Sequence, residues 1–150
     1  MKSLQGFEGV KRRMEKFFDR DGITLFDDFA HHPTAIETTL SGARKKFPDA
    51  QLWAIIEPRS NTMKQGVHKD SLKPACDHAD QVFWFEEAHP LWSINDCAHE
   101  SETVHRCFSS VDDIVAHTKN TIRPNTAVVV MSNGGFGGIH QKLSNALTPE

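Results

Sequence analysis

Cysteine is scarce in this chain, and its spacing excludes more than its number. Cys76, Cys97 and Cys107 make an odd count with no CxxC pair. This rules out a disulfide framework and fits thiols in a reducing, cytoplasmic setting. Long apolar runs are missing as well. None approaches the ~18 residues that a membrane-spanning helix needs, and the opening MKSLQGFEGVKRR lacks the apolar stretch of a signal peptide. Basic charge is in short supply, with 17 Lys+Arg against 20 Asp+Glu and a net charge of −3. That balance argues against a nucleic-acid surface or a basic membrane-binding face. Neither GxGxxG, nor the phosphate-binding GxxxxGK[ST], nor the zinc-binding HExxH occurs. The 150 residues, 38% hydrophobic and 25% charged, suit one globular domain with a real core.

Strand and helix patterns alternate along the chain. MEKFFDRDGITLFDDF reads as two short strands around Asp21-Gly22, a favoured hairpin dipeptide. Pro33 then stands where a first helical turn tolerates it. Ala35, Ile36, Leu40, Ala43 and Phe47 form a helical stripe that ends in basic residues. QLWAIIE and QVFWF read as buried strands, and Trp53, Phe83, Trp84 and Phe85 in them as core. A helical stretch is expected from about Lys69 to Ala79, with Pro74 interrupting or beginning a segment. EEAHPLWSIND is irregular and TVHRCF a short strand. VDDIVAHTKNTI is an amphipathic helix, TAVVVM a buried strand, and IHQKLSNAL a closing helix. This order predicts an α/β fold: a Rossmann-like three-layer domain with a mostly parallel sheet and an N-terminal hairpin.

Ligands of such sheets bind at the carboxyl ends of the strands. Three polar loops fall there: DDFAHHPT, EPRSNTMK and SNGGFGG. In the first, Asp27 and Asp28 close a strand, where an acid can accept hydrogen bonds from a ribose, and His31 and His32 could bind an anion or handle a proton. The same side chains could equally cap the helix that follows. In the second loop, Arg59 offers a planar fork for a carboxylate, with Ser60 and Asn61 as neutral donors. The alternative is an Arg59 paired to Glu57 or Asp80. The glycines of the third loop can bring backbone N–H groups against an anion, or simply allow close packing. Cys97, His99, His105 and Cys107 have a zinc-like C-x-H and H-x-C arrangement, but alternation along a strand also explains the second pair.

Taken together, GVKRRME, DDFAHHPTAI, EPRSNTMKQG and SNGGFGGIHQKL resemble, in order and over nearly the whole chain, the C-terminal domain of the Mur ligase family of cell-wall enzymes. DDFAHHPT is similar to the branch that uses UDP-N-acetylmuramate itself as acceptor. Within that branch, EPRSNTMK and NGGFGG resemble the ligase of peptidoglycan recycling, which joins the murein tripeptide L-alanyl-γ-D-glutamyl-meso-diaminopimelate. The L-alanine-adding ligase and a non-catalytic nucleotide-binding module are the alternatives. The resemblance implies ATP and Mg2+, both held mainly by a central domain. It implies that Arg13 and Asp28 bind ATP, at phosphate and ribose respectively, that His31 and His32 order the closed site, and that Arg59, Ser60 and Asn61 bind the peptide. It also implies that residues 1–150 work with N-terminal and central domains that this sequence lacks, and cannot ligate alone.

Overall fold

The computed structural model describes residues 14–28, 33–57, 74–85, 103–132 and 136–148. The expected hairpin is β1 (Glu15–Arg20) and β2 (Ile23–Asp28), antiparallel. Its turn needs positive φ at both central residues, and Asp21 (56°) and Gly22 (81°) supply it. A side chain at position 22 would also meet the backbone N of Asn125 at 3.0 Å. Gly22 O accepts hydrogen bonds from the N–H groups of Asn125 (2.8 Å) and Thr126 (3.1 Å), so the turn is docked on the strand that will lie beside β2.

Helix α1 (Pro33–Lys46) begins at the proline and ends in Arg44, Lys45 and Lys46, as the sequence predicts. Strands β3 (Gln51–Ile56), β4 (Gln81–Phe85) and β5 (Val104–Phe108) follow. Helix α2 (Val111–Thr121) is capped by Ser110, whose Oγ accepts from the N–H groups of Asp112 and Asp113. Strand β6 (Thr126–Met131) is buried at all six positions. A 3-10 turn (Phe136–Gly138) leads into α3 (Ile139–Leu147).

The six strands lie in the order β1-β2-β6-β3-β4-β5, parallel throughout except for β1. β6, last in the chain, sits between β2 and β3. Alternation along the strands sends Phe26, Leu52, Ala54, Ile56, Val82, Trp84, Val129 and Met131 to one face, where Ile36, Leu40 and Ala43 of α1 pack. Leu25, Trp53, Ile55, Phe83, Val128 and Val130 go to the other, against Ile114 of α2 and Ile139 and Leu143 of α3. Two cores on opposite faces of one sheet make the three expected layers. Trp53, Phe83 and Trp84 are buried core residues, and Phe85 packs at the core's margin. Burial also pushes the Cys76 thiol well above its ordinary pKa.

One expectation needs correction. Ala35 is exposed, and Thr39 takes a buried place on the α1 stripe. The reason is polar: Thr39 faces a carboxylate at the end of β2. Asp80, one of the two acids offered as a partner for Arg59, is held by α1, while Arg59 lies outside the described residues. Arg44 Nη2 holds the Asp80 Oδ2 at 2.8 Å, and the Leu52 N–H donates to the same oxygen at 2.9 Å. Arg44 also donates to the carbonyls of Ala50 and His78, stitching the last turn of α1 to the amino edge of the sheet. Of the helical stretch expected near 69–79, residues 69–73 lie outside the described residues.

Candidate functional site

The carboxyl edge of the sheet is built from three neighbouring strand ends. Asp28, Met131 and Ile56 stand in register across β2, β6 and β3. The next residues continue the ladder. Ser132 N–H donates to Asp28 O at 3.2 Å, and Glu57 N–H donates to Met131 O at 3.0 Å. Ser132 Oγ then donates to Glu57 Oε1 at 2.7 Å, in a bond that is fully buried. The strands that lead into DDFAHHPT, SNGGFGG and EPRSNTMK are therefore tied side by side at their roots, as parallel-sheet logic requires of a convergent site.

Of the residues given a role by the resemblance, Asp28 is the one within the described part of the chain. It sits at the expected strand end, and only 1% of its surface is exposed. Oδ2 accepts the Met14 N–H at 2.9 Å and Oδ1 the Thr39 hydroxyl at 3.4 Å. The carboxylate thus joins β2 to α1 and to the chain just after Arg13. Met14 adopts a left-handed backbone (φ 51°) there, a conformation uncommon for a non-glycine residue and pinned by that hydrogen bond. Arg13, His31, His32, Arg59, Ser60 and Asn61 lie outside the described residues.

Asp27 points the opposite way. Its Oδ1 is 2.8 Å from His140 Nε2. Because an ionised carboxylate can only accept, that ring nitrogen donates. The two side chains are 13% and 23% exposed, respectively. Phe17 meets the imidazole edge-on, with centroids 5.1 Å apart and planes at 72°. A bulge between Lys16 and Phe18 makes this possible. It lets two consecutive phenylalanines, Phe17 and Phe18, both pack toward the α3 side. Glu15, Lys16, Phe17, Asp27 and His140 line an open cavity of about 510 Å³.

Sequence reasoning missed the Asp27–His140 and Glu57–Ser132 pairs. Each joins residues far apart in the chain, 113 positions in the first case and 75 in the second. In the second half of the zinc-like arrangement, His105 and Cys107 take alternate positions along β5. His105 Nδ1 accepts a hydrogen bond from Trp84 Nε1 at 3.0 Å, and Cys107 packs against the core on the α1 face. Cys97 and His99 lie outside the described residues. Among the described residues, no group of three or more His, Cys, Asp or Glu side chains could hold a metal ion, and no helix is long and apolar enough to cross a membrane.

A mostly parallel sheet covered on both faces, with three strand ends joined at one carboxyl edge, defines a three-layer α/β domain. Residues 12–134 match the family model described as Mur ligase, glutamate ligase domain, and the chain belongs to that family. Over 97% of its length it is 43% identical to the UDP-N-acetylmuramate–L-alanyl-gamma-D-glutamyl-meso-2,6-diaminoheptandioate ligase of Escherichia coli strain K12. The murein peptide ligase of Psychrobacter arcticus 273-4 has the same fold, with a TM-score of 0.83 and 52% identity over 94% of this chain. A domain of a UDP-N-acetylmuramate:L-alanyl-gamma-D-glutamyl-meso-diaminopimelate ligase from Haemophilus ducreyi 35000HP, crystallised alone, covers 91% of this chain with a TM-score of 0.76 and 34% identity, and is itself matched over its full length. The chain spans about a third of the length of the first two relatives, 32% and 31%.

Proposed function

We propose that this chain is the C-terminal domain of an ATP-dependent ligase that joins the murein tripeptide L-alanyl-γ-D-glutamyl-meso-diaminopimelate to UDP-N-acetylmuramate in the cytoplasm, in peptidoglycan recycling. The observation that carries the reading is the joined carboxyl edge. The roots of the three polar loops are locked together by Asp28, Ser132 and Glu57, so residues on separate strands act on one ligand. The likeness of nearly the whole chain to tripeptide ligases supplies the substrate class.

In this reading the domain closes over ATP and Mg2+ held mainly by a central domain. Arg13 faces the phosphates. Asp28, through its grip on Met14 and the end of β2, sets the nucleotide side and meets the ribose on closure. His31 and His32 order the closed site. Arg59, Ser60 and Asn61 take a carboxylate of the peptide, for which a guanidinium fork and two neutral donors are suited. Such a domain contributes positioning and charge stabilisation, the main sources of rate in phosphoryl-dependent ligation, and the isolated chain does not ligate.

The test is an NMR titration of the isotope-labelled chain with the tripeptide, and with L-alanine as control. Saturable shifts from the tripeptide alone, abolished in Arg59→Ala, are expected. Shifts from L-alanine instead, or tripeptide shifts that survive Arg59→Ala, would contradict the assignment.

A further inference from the structure

The start of α3 has an unusual anchorage. Gly138 occupies its N-cap position with a left-handed backbone (φ 76°), makes no side-chain capping bond, and no acid lies in the first helical turn. Gly137 before it is left-handed too (φ 59°). A helix end without a cap leaves its first N–H groups unsatisfied and frays readily. Here the first helical residue, Ile139, is buried in the core, and the second, His140, adds a polar anchor by reaching across to Asp27 at the tip of β2. Phe17, turned inward by its bulge, holds the ring from the side. Among the described residues, Glu15 and Lys16, from the same strand as Phe17, also line the cavity beside the pair.

We infer that Asp27 and His140 form a latch, and that His140 is a positioning residue for the nucleotide side of the site. The latch fixes the glycine turn, Phe136–Gly138, to the strand whose last residue is Asp28. It acts on the sheet face opposite to the Asp28–Thr39 contact, so the tip of β2 is gripped from both sides. A turn built on two left-handed glycines has little stiffness of its own. The latch gives it a direct polar tie to β2, beside the burial of Ile139 in the core. The role in catalysis rests on the ligase reading above; the mechanical role does not.

The experiment has two arms. In the 150-residue chain, amide hydrogen exchange at residues 139–142 is expected to quicken in His140→Ala and Asp27→Ala. His140→Gln, whose amide can still donate to Asp27, should restore protection. Unchanged exchange in both alanine variants would overturn the latch. In the full-length ligase that carries this domain, His140→Ala is expected to raise KM for ATP roughly tenfold, with kcat and the acceptor KM within about twofold. His140→Gln should lie near wild type, and the Asp27→Ala/His140→Ala double variant should be no worse than either single one, as for residues acting as a unit. An ATP KM that stays at the wild-type value, or losses that add in the double variant, would overturn the positioning role. The ATP KM is read with whichever amine acceptor supports turnover. A ligase that prefers L-alanine would therefore refute the tripeptide reading and leave the latch test intact.

Discussion

At the tip of β2 the two faces of the sheet receive the same chemical group and treat it differently. Asp28 turns toward α1, is buried, and accepts from a backbone N–H and a threonine hydroxyl. Asp27 turns toward α3, keeps some contact with solvent, and is paired with a titratable ring beside an open cavity. One face uses a carboxylate to fix structure close by in sequence. The other uses it to reach a helix at the far end of the chain. The difference teaches that adjacency in sequence says little about role when strand alternation separates neighbours by the thickness of a sheet.

The largest effect should come from the cores that define the two faces. Trp84→Ala on the α1 face should cost about 3–5 kcal/mol, and Ile114→Ala on the α2 and α3 face about 2–4 kcal/mol, both read by urea unfolding. Equal or reversed losses would mean that the second face carries more of the stability than its aliphatic contacts suggest. The two acids sharpen the contrast further. Asp28→Ala should destabilise by about 1–3 kcal/mol, since it strands a buried hydroxyl and an N–H. Asp27→Ala, on the wetter side, should cost about 1 kcal/mol or less. A larger loss at Asp27 would invert the assignment of structural and positioning roles.

The smallest effect is one of pH, and it belongs to the α2 face. His117 on α2 lies edge-on to Phe83 and tilted against Phe108, and its pKa is lowered, first by this burial and then by Arg106 nearby. The unfolded chain therefore takes up the proton first as pH falls. The stability this neutral ring contributes is whole above the ordinary histidine value of 6.5 and is lost as pH drops through it toward the lower folded value. Melting temperatures between pH 7.5 and 5 should fall less in His117→Gln than in the parent. Parallel curves would remove His117 as a source.

Most of the fold was legible in the sequence because it rests on short-range rules. Asp21-Gly22 announced the hairpin, Pro33 the start of α1, and the unbroken TAVVVM a strand covered on both faces. Asp28 was legible as a strand-end acid. The pairings were not, because periodicity assigns a face and never a partner. Thr39 has no place in the apolar stripe, and only the carboxylate opposite it explains its burial. His140 read as an ordinary helix residue, since nothing nearby in sequence hints at Asp27. Likewise Ser132 and Glu57 each look like loop residues, and only the register of β6 beside β3 brings them together.

The place of β6 has a consequence for how this protein comes into being. β2 and β3 cannot pair with each other, because the strand between them is drawn from residues 126–131. Contacts such as Ile23 with Thr126 span about a hundred residues, and non-local pairing of that kind slows folding. Without β6, the hairpin on one side and β3–β4–β5 on the other share no strand pairing among the described residues. Insertion of β6 is the event that joins them. The same strand carries Met131 and leads into Ser132, which join the carboxyl edge, so the site and the sheet depend on one and the same segment.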